Sequence, residues 1–96
     1  MARTVDPAKR ARRQRALDSI LFAQNDLISL VEKCGDLEAG ARAEVGGHPI
    51  GDEIVARAAL SRGALEGSLA AVAQARQACA MIDVTVEVPD EEERSG

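Results

Sequence analysis

Residues 52–82, DEIVARAALSRGALEGSLAAVAQARQACAMI, decide the fold of this chain because they form one long helical pattern without a conventional solvated face. Steps of about 100° per residue place most of the large apolar side chains within an arc of roughly 80°. These are Ile54, Leu65, Leu69, Val72 and Cys79, with Val55 just beyond the arc. The opposite side carries mainly small residues, which are Ala56, Ala59, Leu60, Gly63, Gly67, Ala70, Ala71 and Ala78. The pattern therefore predicts a helix with two faces that can be buried.

The sharpest feature of the small-residue side is the row Ala59, Gly63, Gly67 and Ala71, at a spacing of four residues. Rows of this kind let two helix backbones approach closely in membranes, but the interspersed Arg and Glu residues exclude a membrane-spanning segment here. An alanine-rich composition would fill surface positions in a similar way. Two glycines inside a helix each cost about 1 kcal/mol relative to alanine, which favours a packing role. We predict that this row is an interface.

The first half of the chain predicts a second helix, from Pro7 to about Gly40. Asp6 is an N-cap residue followed by proline at the first helical position. The apolar side spans about half the circumference of the helix, wider than a simple coiled-coil seam. It consists of Leu17, Ile20, Leu21, Leu27, Ile28, Leu30, Val31 and Cys34. A single alanine-rich helix cannot cover this surface.

The turn is predicted at about residues 45–51, where Gly46, Gly47, His48, Pro49 and Gly51 cluster. The first helix ends near Gly40 or continues with a kink to Val45, and Asp52 is a candidate cap for the second helix. The fold class is therefore all-α: a helical hairpin of two long antiparallel helices with a C-terminal extended segment. Residues 1–6 form a basic tail, residues 7–82 the hairpin, and residues 83–96 an extended segment with an acidic tail.

Size and composition indicate that the hairpin does not complete its own core. The chain has 96 residues, one Phe and no Trp or Tyr. A lone pair of helices of this composition buries too little apolar area to fold firmly. Association into a bundle of four or more helices would supply the missing core. We therefore expect a homo-oligomer or a protein partner in a larger assembly.

Charge is divided along the chain. Residues 1–15 contain six basic residues and one acidic residue, a net charge of +5 in a chain whose net charge is −4. In an antiparallel hairpin this basic start lies beside the end of the second helix and the acidic run Asp90–Glu93, so the charges compensate. The candidate anion-binding residues are Lys9, Arg10, Arg12, Arg13 and Arg15. These residues point all round the helix and have no interleaved aromatic residues for base stacking. We therefore keep nucleic acid as the alternative partner and protein as the preferred one.

Two further features are candidates for partner recognition. Phe22 projects from the polar side of the first helix, about 100° or more from its apolar arc, and is either an interface anchor or an ordinary exposed residue. The segment 82–88 alternates Ile82, Val84, Val86 and Val88 with polar residues, a strand pattern closed by Pro89. A single strand in a helical chain has no partner of its own. It pairs with another copy, adds to the sheet of another protein, stays frayed or extends the helix.

Catalytic, metal and cofactor sites are not indicated. The one histidine, His48, lies in the turn, where a turn or capping role is expected, and no ligand cluster is present. Cys34 and Cys79 lie on apolar faces, and the hairpin places them about 27 Å apart along the axis at 1.5 Å per residue, too far for a disulfide within one chain. No targeting segment is visible, so a cytoplasmic location without membrane contact is expected.

The length and the hairpin architecture are similar to those of the WXG100-type secretion substrates of actinobacteria, whose turn carries Trp-x-Gly. The turn of this chain reads Gly46-Gly47-His48-Pro49-Ile50-Gly51 and the chain has no tryptophan. The resemblance therefore covers architecture and length only. The sequence predicts a non-catalytic structural or interaction protein, a helical subunit of an assembly such as a virion, compartment or secretion complex. The alternative is a small nucleic-acid-binding or regulatory protein.

Overall fold

The computed structural model of the chain describes residues 2–88. Two antiparallel helices form the molecule, α1 over Pro7–Val45 and α2 over Pro49–Ala80. A short strand precedes α1, β1 over Ala2–Val5, and a second short strand follows α2, β2 over Thr85–Val88. The dimensions are 83 × 14 × 12 Å. The predicted all-α helical hairpin is confirmed, and the described chain is one layer of two helices with no second layer.

The first helix begins as its sequence predicts. Asp6 accepts a hydrogen bond from the Ala8 amide at 3.0 Å through its side chain, and Pro7 occupies the first helical position, where its missing N–H costs nothing. Of the two ends considered for α1, the structure shows the later one, because the helix continues past Gly35 and Gly40 to Val45. A glycine within a helix weakens it by about 1 kcal/mol, which the packing against α2 offsets.

The turn is shorter than predicted, and Asp52 is not the helix cap. Only residues 46–48 lie outside the helices, with Gly47 at a φ of 87°, in the left-handed region that favours glycine. His48 caps α2, since its Nδ1 accepts a hydrogen bond from the Ile50 amide at 3.2 Å. Asp52 lies in the first turn of α2 and accepts from the Gly47 amide at 2.8 Å. The capping role expected of His48 is confirmed.

The helix α2 begins at Pro49, inside the cluster of glycine and proline residues that predicted a longer turn. Proline is well suited to the first position of a helix, so Pro49 begins α2 instead of excluding it. Gly51 is buried, and a Cβ built on it would lie 2.7 Å from the carbonyl carbon and 2.8 Å from the Cβ of Val45. The first turn of α2 therefore packs directly on the last turn of α1.

The C-terminal strand has a partner within the chain, so the expectation that it has none is wrong. β2 pairs antiparallel with β1, in a register that places Arg3 opposite Glu87 and Val5 opposite Thr85. The segment expected as a basic tail therefore contains a strand. We call β1, β2 and the flanking Asp6 and Asp83 the strand clasp, since together they join the two ends of the hairpin.

Candidate interaction surfaces

The two helices meet mainly through their large-residue faces, although Ile54 of that face on α2 is 42% exposed. The half-buried or buried residues at this interface include Leu17, Ile20, Leu27 and Val31 of α1 and Val55, Ala58, Leu65, Leu69, Val72 and Cys79 of α2. Coverage is incomplete, because Ile28 remains 40% and Leu30 44% exposed. Among residues 2–88 the only apolar residues classed as buried are Ala58, Cys79 and Val84, and no large side chain is fully enclosed. The hairpin alone has a thin core.

Two charged residues of α2, Arg62 and Arg76, are directed towards α1. After Ser61 this helix has three charged residues, which are Arg62, Glu66 and Arg76. Arg62 forms an ion pair with Glu38 of α1 at 3.3 Å and lies 3.9 Å from Glu66, while Arg76 donates to the Gln24 amide oxygen at 3.4 Å. A solvated helix places its charges on the side away from the core. Arg62 and Arg76 instead lie against α1, the helix with which α2 forms its core.

Glu38 is a site residue that sequence reasoning missed. It is 9% exposed, the one charged residue among 2–88 that is classed as buried, and it also pairs with Arg42 at 3.3 Å on its own helix. The sequence feature that could have identified Glu38 is its four-residue spacing from Arg42, which suits an ion pair on one helix. A buried carboxylate held between two guanidinium groups penalises any sliding of α1 along α2, because sliding would leave the charge unpaired.

The uncharged outer side of α2, which we call the rear face, is exposed in the single chain. It consists of Ala56, Leu60, Gly63, Gly67, Ala70, Ala71 and Ala78, all exposed, with Ala59 half-buried at its edge. Leu60 is 70% exposed. A Cβ added at Gly63 or Gly67 would meet no atom within 4 Å. The hairpin itself therefore has no packing reason for these two glycines, and the predicted row faces away from α1.

The strand clasp is held by a compact set of polar contacts. The Asp6 amide donates to the Val84 carbonyl at 2.7 Å, and the Arg3 guanidinium contacts the Asp83 carboxylate and the Thr85 hydroxyl, both at 2.8 Å. Of the four apolar residues predicted as an interface here, Val84 is buried, Val86 and Val88 are half-buried, and Ile82 is exposed. Val84 thus packs within its own chain.

The basic residues of α1 are partly engaged by the same chain. Lys9 donates to the Thr85 carbonyl and Arg13 to the Ile82 carbonyl, each at 3.2 Å. Arg10, Arg12 and Arg15 are exposed. Together with Ile82 and Asp83, the residues Lys9, Arg12 and Arg13 line an open groove of about 300 Å³. The predicted placement of the basic start beside the end of α2 is confirmed, whereas the acidic run Asp90–Glu93 lies outside the described residues.

Asp83 is the one described residue whose carboxyl is clearly perturbed. Hydrogen bonds from the Thr85 hydroxyl at 2.6 Å and the Thr85 amide at 2.8 Å, with a smaller contribution from the Arg3 charge, lower the pKa of Asp83. Because folding lowers this pKa, the ionised Asp83 carboxylate stabilises the strand clasp at pH values above the ordinary carboxyl pKa. That contribution is lost as the pH falls through the lowered pKa of the folded state.

We expect a ¹³C NMR titration of the Asp83 carboxyl to show a midpoint below the ordinary aspartate value of about 3.9. The Thr85 amide signal should move with the same midpoint, because this amide donates to the carboxylate. In Asp83→Asn the Thr85 amide should no longer titrate in this range. A midpoint at or above the ordinary value would mean that the clasp does not form in solution as described.

Elsewhere in the part of the chain that the structure describes, side chains able to bind a metal ion or take part in a reaction do not cluster. Cys34 is half-buried and Cys79 buried, and both are free thiols. Within residues 2–88, no group of three or more His, Cys, Asp or Glu side chains is placed to hold a metal ion. No helix in that same range is both long and apolar enough to cross a membrane. The surfaces with distinctive character are therefore the rear face, the clasp and the exposed apolar residues.

Comparison with known proteins gives no relative for this geometry, since no protein-family model, curated protein or solved structure matches the chain.

Proposed function

We propose that this protein is a non-catalytic structural subunit that self-associates, or docks into a larger assembly such as a virion, compartment or secretion complex. The observation that carries the proposal is the orientation of α2. Its charged residues Arg62 and Arg76 contact α1, and its uncharged rear face is left exposed. A helix with this arrangement presents to solvent the side that is best suited to close packing against another helix.

Burial supports the same proposal. Large apolar residues at least 40% exposed occur along the whole described chain, from Val5 and Phe22 to Leu60 and Met81. Single exposed apolar residues are ordinary. Here they accompany a core in which no large side chain is fully enclosed, and a small domain with so little buried area gains stability by association.

Protein is the preferred partner rather than nucleic acid. Of the five candidate anion-binding residues, Lys9 and Arg13 donate to backbone carbonyls of residues 85 and 82. Phosphate contacts would have to compete with these hydrogen bonds or rely on Arg10, Arg12 and Arg15. The rear face of α2 carries no charge, which fits association driven by apolar packing.

The decisive measurement is the solution mass of the full-length chain by multi-angle light scattering, over a concentration series at low and high salt. We expect a mass above that of the single chain that changes little with salt, because apolar packing is not screened. A monomer throughout the series would contradict self-association and leave docking on a different protein. Steeply salt-dependent binding of DNA or RNA would instead support the alternative function.

A further inference from the structure

The only aromatic residue of the chain is presented to solvent on the polar side of α1. Phe22 is 73% exposed. Asp18 and Asn25 lie one turn before it and one turn after it, and with Leu21 and Phe22 they line one open patch of the surface. A phenylalanine buries 150–250 Å² when it is enclosed, so its exposure leaves a large apolar area in water. The two polar neighbours bracket that area at a spacing of about 10 Å along the helix.

The same chain carries an apolar groove at its turn end. Leu37 of α1 and Ile50 and Ile54 of α2 are 55%, 66% and 42% exposed, and they line an open groove of about 330 Å³. The rim of this groove carries Glu53 and Arg57, which form an exposed ion pair at 3.3 Å. The groove therefore combines an aliphatic floor with one acidic and one basic rim residue.

We propose that Phe22 of one copy docks in the turn groove of a second copy, which deepens the proposed self-association and rests on it. The polar groups fix the orientation. Asp18 beside Phe22 faces Arg57, and the Asn25 amide faces Glu53, so α1 of the first copy runs antiparallel to α2 of the second. The reverse orientation would bring Asp18 to Glu53, two like charges, and is disfavoured.

The two halves of this contact lie at different places in the chain, and this determines the type of assembly. Phe22 and Leu37 are separated by 15 residues of one helix, or about 22 Å along its axis at 1.5 Å per residue. A contact between two different surfaces is heterologous and repeats from copy to copy. The rear face of α2, in contrast, can pair with itself in a closed dimer. The Phe22 contact would link such units into longer assemblies.

The test measures mass against concentration by sedimentation velocity for five full-length proteins. We expect the unmodified chain to grow beyond a closed dimer, and Phe22→Ala to stop at the dimer, with the dissociation constant of the growth step raised at least about tenfold. Met81→Ala is the matched control, because Met81 is the most exposed large apolar residue among residues 2–88, at 84%, and lies outside both surfaces. It should grow as the unmodified chain does.

Charge reversal tests the orientation independently of burial. Asp18→Lys should weaken growth by a factor similar to, or smaller than, that of Phe22→Ala, because it places a second cation beside Arg57 at the contact. The double variant Asp18→Lys with Arg57→Glu should restore growth to within about threefold of the unmodified chain. Circular dichroism should give the same helicity for all five proteins, since the altered side chains are exposed.

The results separate this proposal from the proposed function. Unchanged growth of Phe22→Ala, or a double variant no better than Asp18→Lys, would overturn the Phe22 contact while self-association stands. A closed dimer of the unmodified chain at every concentration would also overturn it. A monomer at every concentration would overturn both the Phe22 contact and self-association, and would leave docking on a different protein.

Discussion

Replacement of both Gly63 and Gly67 with leucine is expected to abolish the dimer formed through the rear face of α2 and, at the same time, to make the single hairpin more stable. Both glycines lie on the rear face of α2, where an added Cβ meets no atom within 4 Å in the single chain. Leucine is a better helix former than glycine by roughly 0.5–1 kcal/mol per residue. The hairpin therefore gains roughly 1–2 kcal/mol from the pair. In the oligomer, in contrast, the two leucine side chains would prevent the helix backbone of the neighbouring copy from approaching the rear face closely.

The opposite signs of the two effects make this experiment informative. Light scattering should give a lower mass for the double variant. Urea unfolding, at a concentration where the unmodified chain is also monomeric, should give a higher midpoint. Gly40→Leu is the matched control, since Gly40 is an exposed helical glycine on α1 and an added Cβ there also meets nothing within 4 Å. This control should raise the midpoint and leave the mass unchanged. An intact oligomer in the double variant would show that the rear face is not the interface.

Substitution of Gly51 by alanine is expected to destabilise the hairpin by roughly 2–3 kcal/mol, a large share of the stability of a small domain. Gly51 is buried in the first turn of α2, and the added Cβ would lie 2.7 Å from the carbonyl carbon of Val45. The atoms in the way belong to the backbone and the Cβ of Val45, so no side-chain rotation relieves the overlap. The start of α2 must move away from the end of α1.

Gly40→Ala is the control for this second variant, because it makes the same chemical change at an exposed helical position with open space. It should stabilise the hairpin by about 1 kcal/mol. Chemical denaturation followed by circular dichroism measures both variants. If Gly51→Ala were as stable as the unmodified chain, the tight three-residue turn and the start of α2 at Pro49 would both be wrong.

The residues of the candidate surfaces were predictable to different degrees. The row of small residues was visible in the sequence because helical periodicity is a local property. Leu37, Ile50 and Ile54 were not recognised as one groove. Ile50 joins the groove only if α2 begins at Pro49, and the cluster of glycines and proline around it is typical of a turn. Phe22 was recognised as a candidate, while its groove required the packing of α1 on α2.

The sequence by itself determined the all-α hairpin: two helical patterns, the Asp6–Pro7 start and a glycine-rich turn are all encoded within a few residues of where they act. Only the tertiary structure decided where the two ends of the chain meet. Residues 2–5 and 85–88 are about eighty positions apart, and they pair because α1 is seven residues longer than α2. That difference leaves an offset of about 10 Å at 1.5 Å per residue, which residues 81–84 span between α2 and β2. The direction of the charges on α2 was settled in the same way, because Arg62 and Arg76 contact α1 only in the register that the complete hairpin imposes.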